Sequence, residues 1–318
     1  MPTFTKWNNL PSELRHHGLS YSKPRELFQY ARLSHFCDEE VQRFNAVTPD
    51  VLDIWQMYNV TSIGAEYSSG KKFYCRFVAV SENTHKFIKY DPLVKFYDAI
   101  HNYPVLEGNA RQKALKFLEK FLKHLTTGRI EEIRVNCKEW PFEEFRRNPA
   151  ILKVPSWKIE MYPTMCDDFL NFMYETTNVS WLHLYAHPPN WNPVCLPSEF
   201  FKSTYFKELV HVNLEVKGKI SDDDFLSCNA QSLNLECDTL NVAAINEKLR
   251  QWSDGESSIK TFRIVLLNKR ANNNALLQGM QFDVQPKNFF EIRGRGGKRG
   301  TVHNFFREED SSSNVIFR

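Results

Sequence analysis

His183, His187 and Cys195 are residue types that ligate zinc, and Asp222-Asp223-Asp224 is a carboxylate run of the kind that draws hard cations. A structural zinc site needs a fourth ligand, and none stands at a fitting spacing. Pro188-Pro189 also separates the second histidine from the cysteine. Polar strand-end and loop positions account for the three residues without a metal. A calcium loop of the EF-hand kind needs alternating acids, a glycine and a distal glutamate, and these do not follow in register. Ser221 directly before the acids reads instead as a helix N-cap, with the carboxylates in the first turn where the helix dipole favours them. A third cluster, Arg293-Gly294-Arg295-Gly296-Gly297-Lys298-Arg299-Gly300, resembles a short RGG-like patch, a type that holds RNA through phosphate attraction and guanidinium stacking. The competing reading is a Gly-rich turn between one strand at Phe289 to Arg293 and another at Thr301 to Phe306. No nucleophile elbow, zinc-protease helix, phosphate-binding loop or dinucleotide fingerprint occurs. The expectation is therefore a chain without a catalytic site, cofactor or metal.

Composition narrows the classes further. The 318 residues carry 41 Lys+Arg against 38 Asp+Glu, a net charge of +3. Such a balance gives no global basic field, so nucleic acid is not the expected partner. Hydrophobic residues make up 42% and aromatics 14%, which supplies a sizeable core and argues against disorder. Apolar runs are a few residues long, as in Ile264-Val265-Leu266-Leu267, far short of the ~20 needed to span a membrane. Seven scattered cysteines without a C-x-x-C pair read as reduced thiols. That points to cytoplasm or nucleus.

The elements that would position these residues fall into three stretches. Residues 1–45 read as short helices. Pro11 and Pro24 stand at first-turn positions, and Leu27, Tyr30, Ala31 and Ser34 share one face. Residues 46–125 read as a hairpin, Val60 to Tyr67 and Lys72 to Val80 around Ser68-Ser69-Gly70, followed by a helix over 109–125. That helix carries an apolar stripe at Ala114, Phe117, Leu118, Phe121, Leu122 and Leu125. Residues 126–318 carry a recurrence, apolar-x-x-apolar-x-apolar. It appears at Ile130/Ile133/Val135, Val154/Trp157/Ile159, Val179/Leu182/Leu184, Leu209/Val212/Leu214, Ala230/Leu233/Leu235 and Ile259/Phe262/Ile264. The starts lie 24, 25, 30, 21 and 29 residues apart, the period of leucine-rich repeats. Helical stretches intervene at Trp140 to Phe145, Cys166 to Tyr174, Ser198 to Phe206, Asp222 to Leu226 and Asn241 to Trp252. The expected fold is α/β (α+β): a short helical N-terminal segment, then a degenerate strand–helix array that lacks the Asn or Cys of regular leucine-rich repeats.

Two segments resemble a known family. Leu10-Pro11-Ser12-Glu13-Leu14, the apolar Leu19 and Tyr21, Pro24-Arg25-Glu26-Leu27 and Leu33-Ser34 follow in the order of an F-box, over positions 7–43. Gly18 and Lys23 depart from that pattern, at a helix-interior cost of ~1 kcal/mol and the loss of an N-cap worth ~1 kcal/mol. Residues 175–318 resemble the F-box-associated domain of the large nematode F-box families. Phe225-Leu226-Ser227-Cys228-Asn229, Ser232-Leu233-Asn234-Leu235-Glu236 and Leu249-Arg250-Gln251-Trp252-Ser253-Asp254-Gly255 carry that likeness. Phe290-Glu291-Ile292-Arg293, Gly297-Lys298 and Gly300-Thr301-Val302 resemble its closing hairpin.

The resemblance implies a substrate-receptor subunit of an SCF-type cullin–RING ubiquitin ligase. It implies that Leu10, Pro11, Glu13, Leu14, Leu19, Pro24, Leu27 and Leu33 dock on a Skp-family adaptor carried by a cullin scaffold. The later domain would capture an unidentified protein target. Trp157, Trp181, Tyr185 and Trp191 are the candidate contact residues there, because Trp and Tyr dominate interface energetics. The alternative is a non-catalytic scaffold or RNA-associated module with a vestigial F-box, using the repeat face or Arg293, Arg295, Lys298 and Arg299.

Overall fold

The computed structural model describes residues 14, 15, 19, 49–67, 70, 72–90, 103–123, 130–137, 141–162, 166–186, 194–285, 289–308 and 311–318. The architecture is mixed α/β, in two compact units, Met1–Val154 and Pro155–Arg318. Among the described residues no helix is long and apolar enough to cross a membrane.

In the first unit β1 (Val51–Met57), β2 (Val60–Glu66), β3 (Lys72–Ser81), β4 (Thr84–Tyr90) and β5 (Val105–Glu107) run as an antiparallel meander. The expected hairpin is β2–β3, with Val60 opposite Val78 and Glu66 opposite Lys72. Helix α1 (Ala110–Lys123) starts at Asn109, whose Oδ1 accepts from the amides of Arg111 and Gln112. Its stripe buries Ala114, Leu118, Phe121 and Leu122. The Phe117 ring lies 5.8 Å from Phe77 and 6.3 Å from both Phe73 and Phe87, so the helix covers one face of the meander. Strand β6 (Glu132–Asn136), the first recurring strand, pairs in parallel with β1, Ile133 opposite Leu52. Short helix α2 (Phe142–Arg146) follows.

The second unit is built from the recurrence. Strands β7 (Ser156–Met161), β8 (Trp181–Ala186), β10 (His211–Gly218), β11 (Ser232–Cys237) and β12 (Thr261–Leu266) pair in parallel in that order. A two-residue strand β9 (Cys195–Leu196) adds to the far end of β10. In register, Trp157, Leu182, Val212, Leu233 and Phe262 form one row and Ile159, Leu184 and Leu214 another. All are buried. The first apolar position of each triplet, such as Leu209, Ala230 and Ile259, is buried too.

Each repeat is also tied to the one before it through the backbone. Pro155 O accepts from the amides of Ser180 and Trp181, Ser180 O from Val210 and His211, Val210 O from Gln231 and Ser232, and Gln231 O from Lys260 and Thr261. One carbonyl thus serves two donors at every step. The chain's periodicity is therefore met by hydrogen bonding as well as by packing.

Helices join consecutive strands. These are α3 (Cys166–Glu175), α4 (Ser198–Lys202), α5 (Thr204–Glu208), α6 (Asp222–Ser227), α7 (Val242–Asp254) and a one-turn α8 (Asn273–Leu276). The stretch from Ser198 to Phe206, expected as one helix, splits at Ser203. That residue takes an extended backbone (ψ 149°), and its Oγ accepts from the Phe206 amide at 3.2 Å, capping α5. Ser221 caps α6 as expected, Oγ to the Asp224 amide at 3.1 Å. Gly255 at φ +82° ends α7 in the left-handed region that favours glycine.

The parallel strands give way at β12 to an antiparallel ribbon: β16 (Ser312–Phe317), β15 (Arg299–Arg307), β14 (Phe289–Arg293) and edge strand β13 (Phe282–Gln285). The strands expected on either side of the Gly/Arg segment are β14 and β15.

A candidate protein-binding face

Strand alternation puts the two faces of the second unit's sheet under different constraints. The rows named above point into the helix layer. Trp157 is among them, fully buried with its ring 5.5 Å from Phe172 of α3, edge-on. It was expected among the contact residues. Its place in the second position of the triplet, which every repeat spends on the core, takes it out of any binding surface.

The opposite face carries the alternating residues. One row runs Ser156, Trp181, His211, Ser232 and Thr261. A second runs Lys158, His183, Asn213, Asn234 and Arg263, and continues across β16, β15 and β14 as Ile316, His303 and Phe289. These side chains are half-buried or exposed. Trp181 leaves 52% of its surface exposed and stands 5.1 Å from the His211 ring. Tyr185 is half-buried, between the His183 ring at 5.4 Å and the Lys158 ammonium at 5.6 Å. Trp191 lies outside the described residues.

The polar groups form a lateral chain. Asn234 Nδ2 donates to Asn213 Oδ1 at 2.5 Å, and Asn213 Nδ2 donates to Glu215 Oε1 at 3.1 Å. The same carboxylate oxygen lies 3.3 Å from His183 Nε2. Thr261 Oγ1 donates to Ser232 Oγ at 3.2 Å. Such cross-strand pairing fixes rotamers that would otherwise have to be ordered on binding. At the other end Phe289 stacks on His303 at 4.0 Å, and Phe305 follows at 5.1 Å. A groove of about 380 Å³ lies between these ends, lined by Ser232, Asn234, Thr261, Arg263, Phe305 and Ile316 among others.

The remaining candidates are distributed elsewhere. His183 belongs to the polar chain just described, Cys195 lies on β9, and His187 is outside the described residues. No three metal-ligating side chains converge among the described residues. Burial pushes the Cys237 thiol up to about 12 and raises that of Cys228, which suits packed rather than reactive sulfur. The buried Lys248 ammonium donates to the Leu226 and Cys228 carbonyls at 2.7 Å each, tying α7 to the end of α6.

In the basic segment Arg293 Nη2 pairs with Asp283 Oδ2 at 2.6 Å and Arg299 Nη1 with Glu291 Oε1 at 3.2 Å. Two of the four cations are thus matched by acids of the same ribbon. Its glycines have backbone reasons as well. Gly297 takes φ +80°, and a Cβ on Gly300 would collide with the rings of Phe317 and Trp252. Arg295 and Lys298 remain exposed on a tight turn, Arg295–Gly297.

Of the adaptor-binding candidates, Leu14 is in helical conformation with 55% of its surface exposed, and Leu19 is buried. Leu10, Pro11, Glu13, Pro24, Leu27 and Leu33 lie outside the described residues. Sequence reasoning did not single out Arg263, Asn234 or Asn213. Their common signal was position: each stands one residue after the second apolar position of a triplet. The chain matches no family model, and no curated protein or solved structure was found to resemble it.

Proposed function

We propose that this chain is a substrate-recognition subunit of an SCF-type cullin–RING ubiquitin ligase. The N-terminal helices would dock on a Skp-family adaptor, and the open sheet face of the second unit would hold a protein target. A separate conjugating enzyme would then carry out ubiquitin transfer, so the chain itself needs no catalytic group or cofactor. The observation that carries this reading is the F-box-like string of residues from Leu10 to Ser34, ahead in sequence of a strand–helix array with one half-exposed polar face. The Gly/Arg segment does not enter the proposal, since its ion pairs and packed glycines account for it within the ribbon.

Co-purification of the full chain with Skp-family adaptors tests the reading. Capture of an adaptor, reduced at least tenfold by Leu10→Ala with Leu14→Ala, is the expected result. If the intact, folded chain retains no adaptor paralogue, or the double variant retains it fully, the reading fails.

A further inference from the structure

Arg263 is the one guanidinium in the second row of the open face, and it is held in a particular way. Its Nε and Nη2 donate to Asn314 Oδ1 at 3.4 and 3.2 Å. Asn314 is fully buried, and its own Nδ2 has no hydrogen-bond partner. A buried amide nitrogen without a partner is destabilising, so stability alone does not call for asparagine at this position. What the amide supplies is a fixed guanidinium plane. Among the described residues no carboxylate pairs with Arg263. The acid nearest in register, Glu236, sits two pairs further along, opposite Val265. The result is an exposed cation, oriented in advance, without a counter-charge, on the wall of a groove that also offers hydroxyls and an aromatic ring.

Trp181 lies three strands away along the face, across β8, β10, β11 and β12. Arg263 also stands two residues beyond Thr261, the residue level with Trp181. At ~4.8 Å per strand and ~3.3 Å per residue the separation is roughly 16 Å, the reach of about five extended residues. Between them stand His211, Ser232 and Thr261, polar side chains placed to meet a peptide backbone.

We propose that this face binds an extended acidic peptide: an Asp or Glu carboxylate seats on Arg263, and an apolar side chain about five residues away packs on Trp181. The free edge of a guanidinium meets a carboxylate through two parallel hydrogen bonds, which supplies direction as well as charge. A phosphate is less well served. Phosphopeptide sites gather several cations or a helix N-terminus; here Arg263 and Arg318 are the cations that line the groove, and the described helices between the strands pack on the other side of the sheet. The inference rests on reading this face as the target-binding one and is independent of whether the N-terminal helices hold an adaptor.

A peptide array read with the purified full chain tests it. The probes are nine-residue alanine- and serine-based peptides with one Leu or Phe, and with Glu, Gln, Lys or phosphoserine placed two to six residues away. The expected result is at least tenfold stronger binding of Glu than Gln or Lys probes, greatest near a spacing of five and weakened by salt. Arg263→Gln should abolish the preference for Glu, Arg263→Lys should keep part of it, and Trp181→Ala should remove the preference for the apolar residue. Circular dichroism reports that each variant is folded.

Equal binding of Glu and Gln probes, a preference untouched by Arg263→Gln, or a phosphoserine preference more than tenfold above Glu would each overturn the proposal. Adaptor capture without acid selectivity defeats this inference alone, and acid selectivity without adaptor capture defeats the ligase reading alone.

Discussion

The two faces of the second unit's strands come from the same stretches of chain and obey opposite rules. On the covered face, positions two residues apart are all apolar and all buried, and each is shared with neighbours in the rows above and below. On the open face the neighbouring positions are Trp, His, Ser, Asn, Thr and Arg, joined sideways by hydrogen bonds and ring contacts. Burial accounts for the first face completely. It accounts for less of the second, where most of the named side chains are half-buried or exposed. The difference separates positions that carry the core from positions that do not, one residue apart.

Substitution should expose that asymmetry. The largest effect is expected at Trp157, where replacement by Ala removes a fully buried ring packed against Phe172. A loss of about 3–5 kcal/mol in urea or guanidinium unfolding is expected. A loss under 1 kcal/mol would mean that this row is not a core.

A second test uses pH on the covered-face thiol of Cys237. Burial raises its pKa from 9.0 to about 12. The folded chain therefore keeps a proton that the unfolded chain releases. Stability is fully present below pH 9 and falls as pH rises toward 12, by at most about 1.4 kcal/mol per unit. Cys237→Ala should flatten that decline relative to the parent chain. Comparing the two chains cancels Lys248, whose burial lowers its pKa and acts in the opposite sense below its ordinary 10.5. Equal slopes in parent and variant would place the thiol in contact with water.

The smallest effect is expected on the open face. Trp181→Ala should change stability by less than about 0.5 kcal/mol, although it deletes a larger side chain than any aliphatic in the core. A loss above 2 kcal/mol would make this tryptophan structural and remove it from the binding face.

Much of the second unit was legible before any coordinates. The triplet spacing located every strand from β6 to β12 except the two-residue β9, and Ser221 marked the start of α6. Those features are written in local periodicity, which needs no knowledge of distant residues. The division of Ser198 to Phe206 into two helices was less visible, because the apolar pattern runs through Ser203 without interruption. Trp157 misled for a related reason. Its type favours interfaces while its position favours the core, and position prevailed. Arg263 went unnoticed because a single arginine in a strand has no distinguishing spacing.

By itself the sequence determined the alternation: which residues of each repeat avoid water, where helices begin, and the F-box-like order at the N-terminus. Hydrophobic burial acts on each segment separately, so a one-dimensional pattern suffices to record it. Only the tertiary structure decided which polar residues meet. Asn213 and Asn234 are 21 residues apart in the chain, and Arg263 and Asn314 are 51 apart. Their contacts depend on strand register, and β16 reaches β12 only after the ribbon from β13 to β15 has folded back. The groove, its oriented guanidinium and its distance from Trp181 follow from that register.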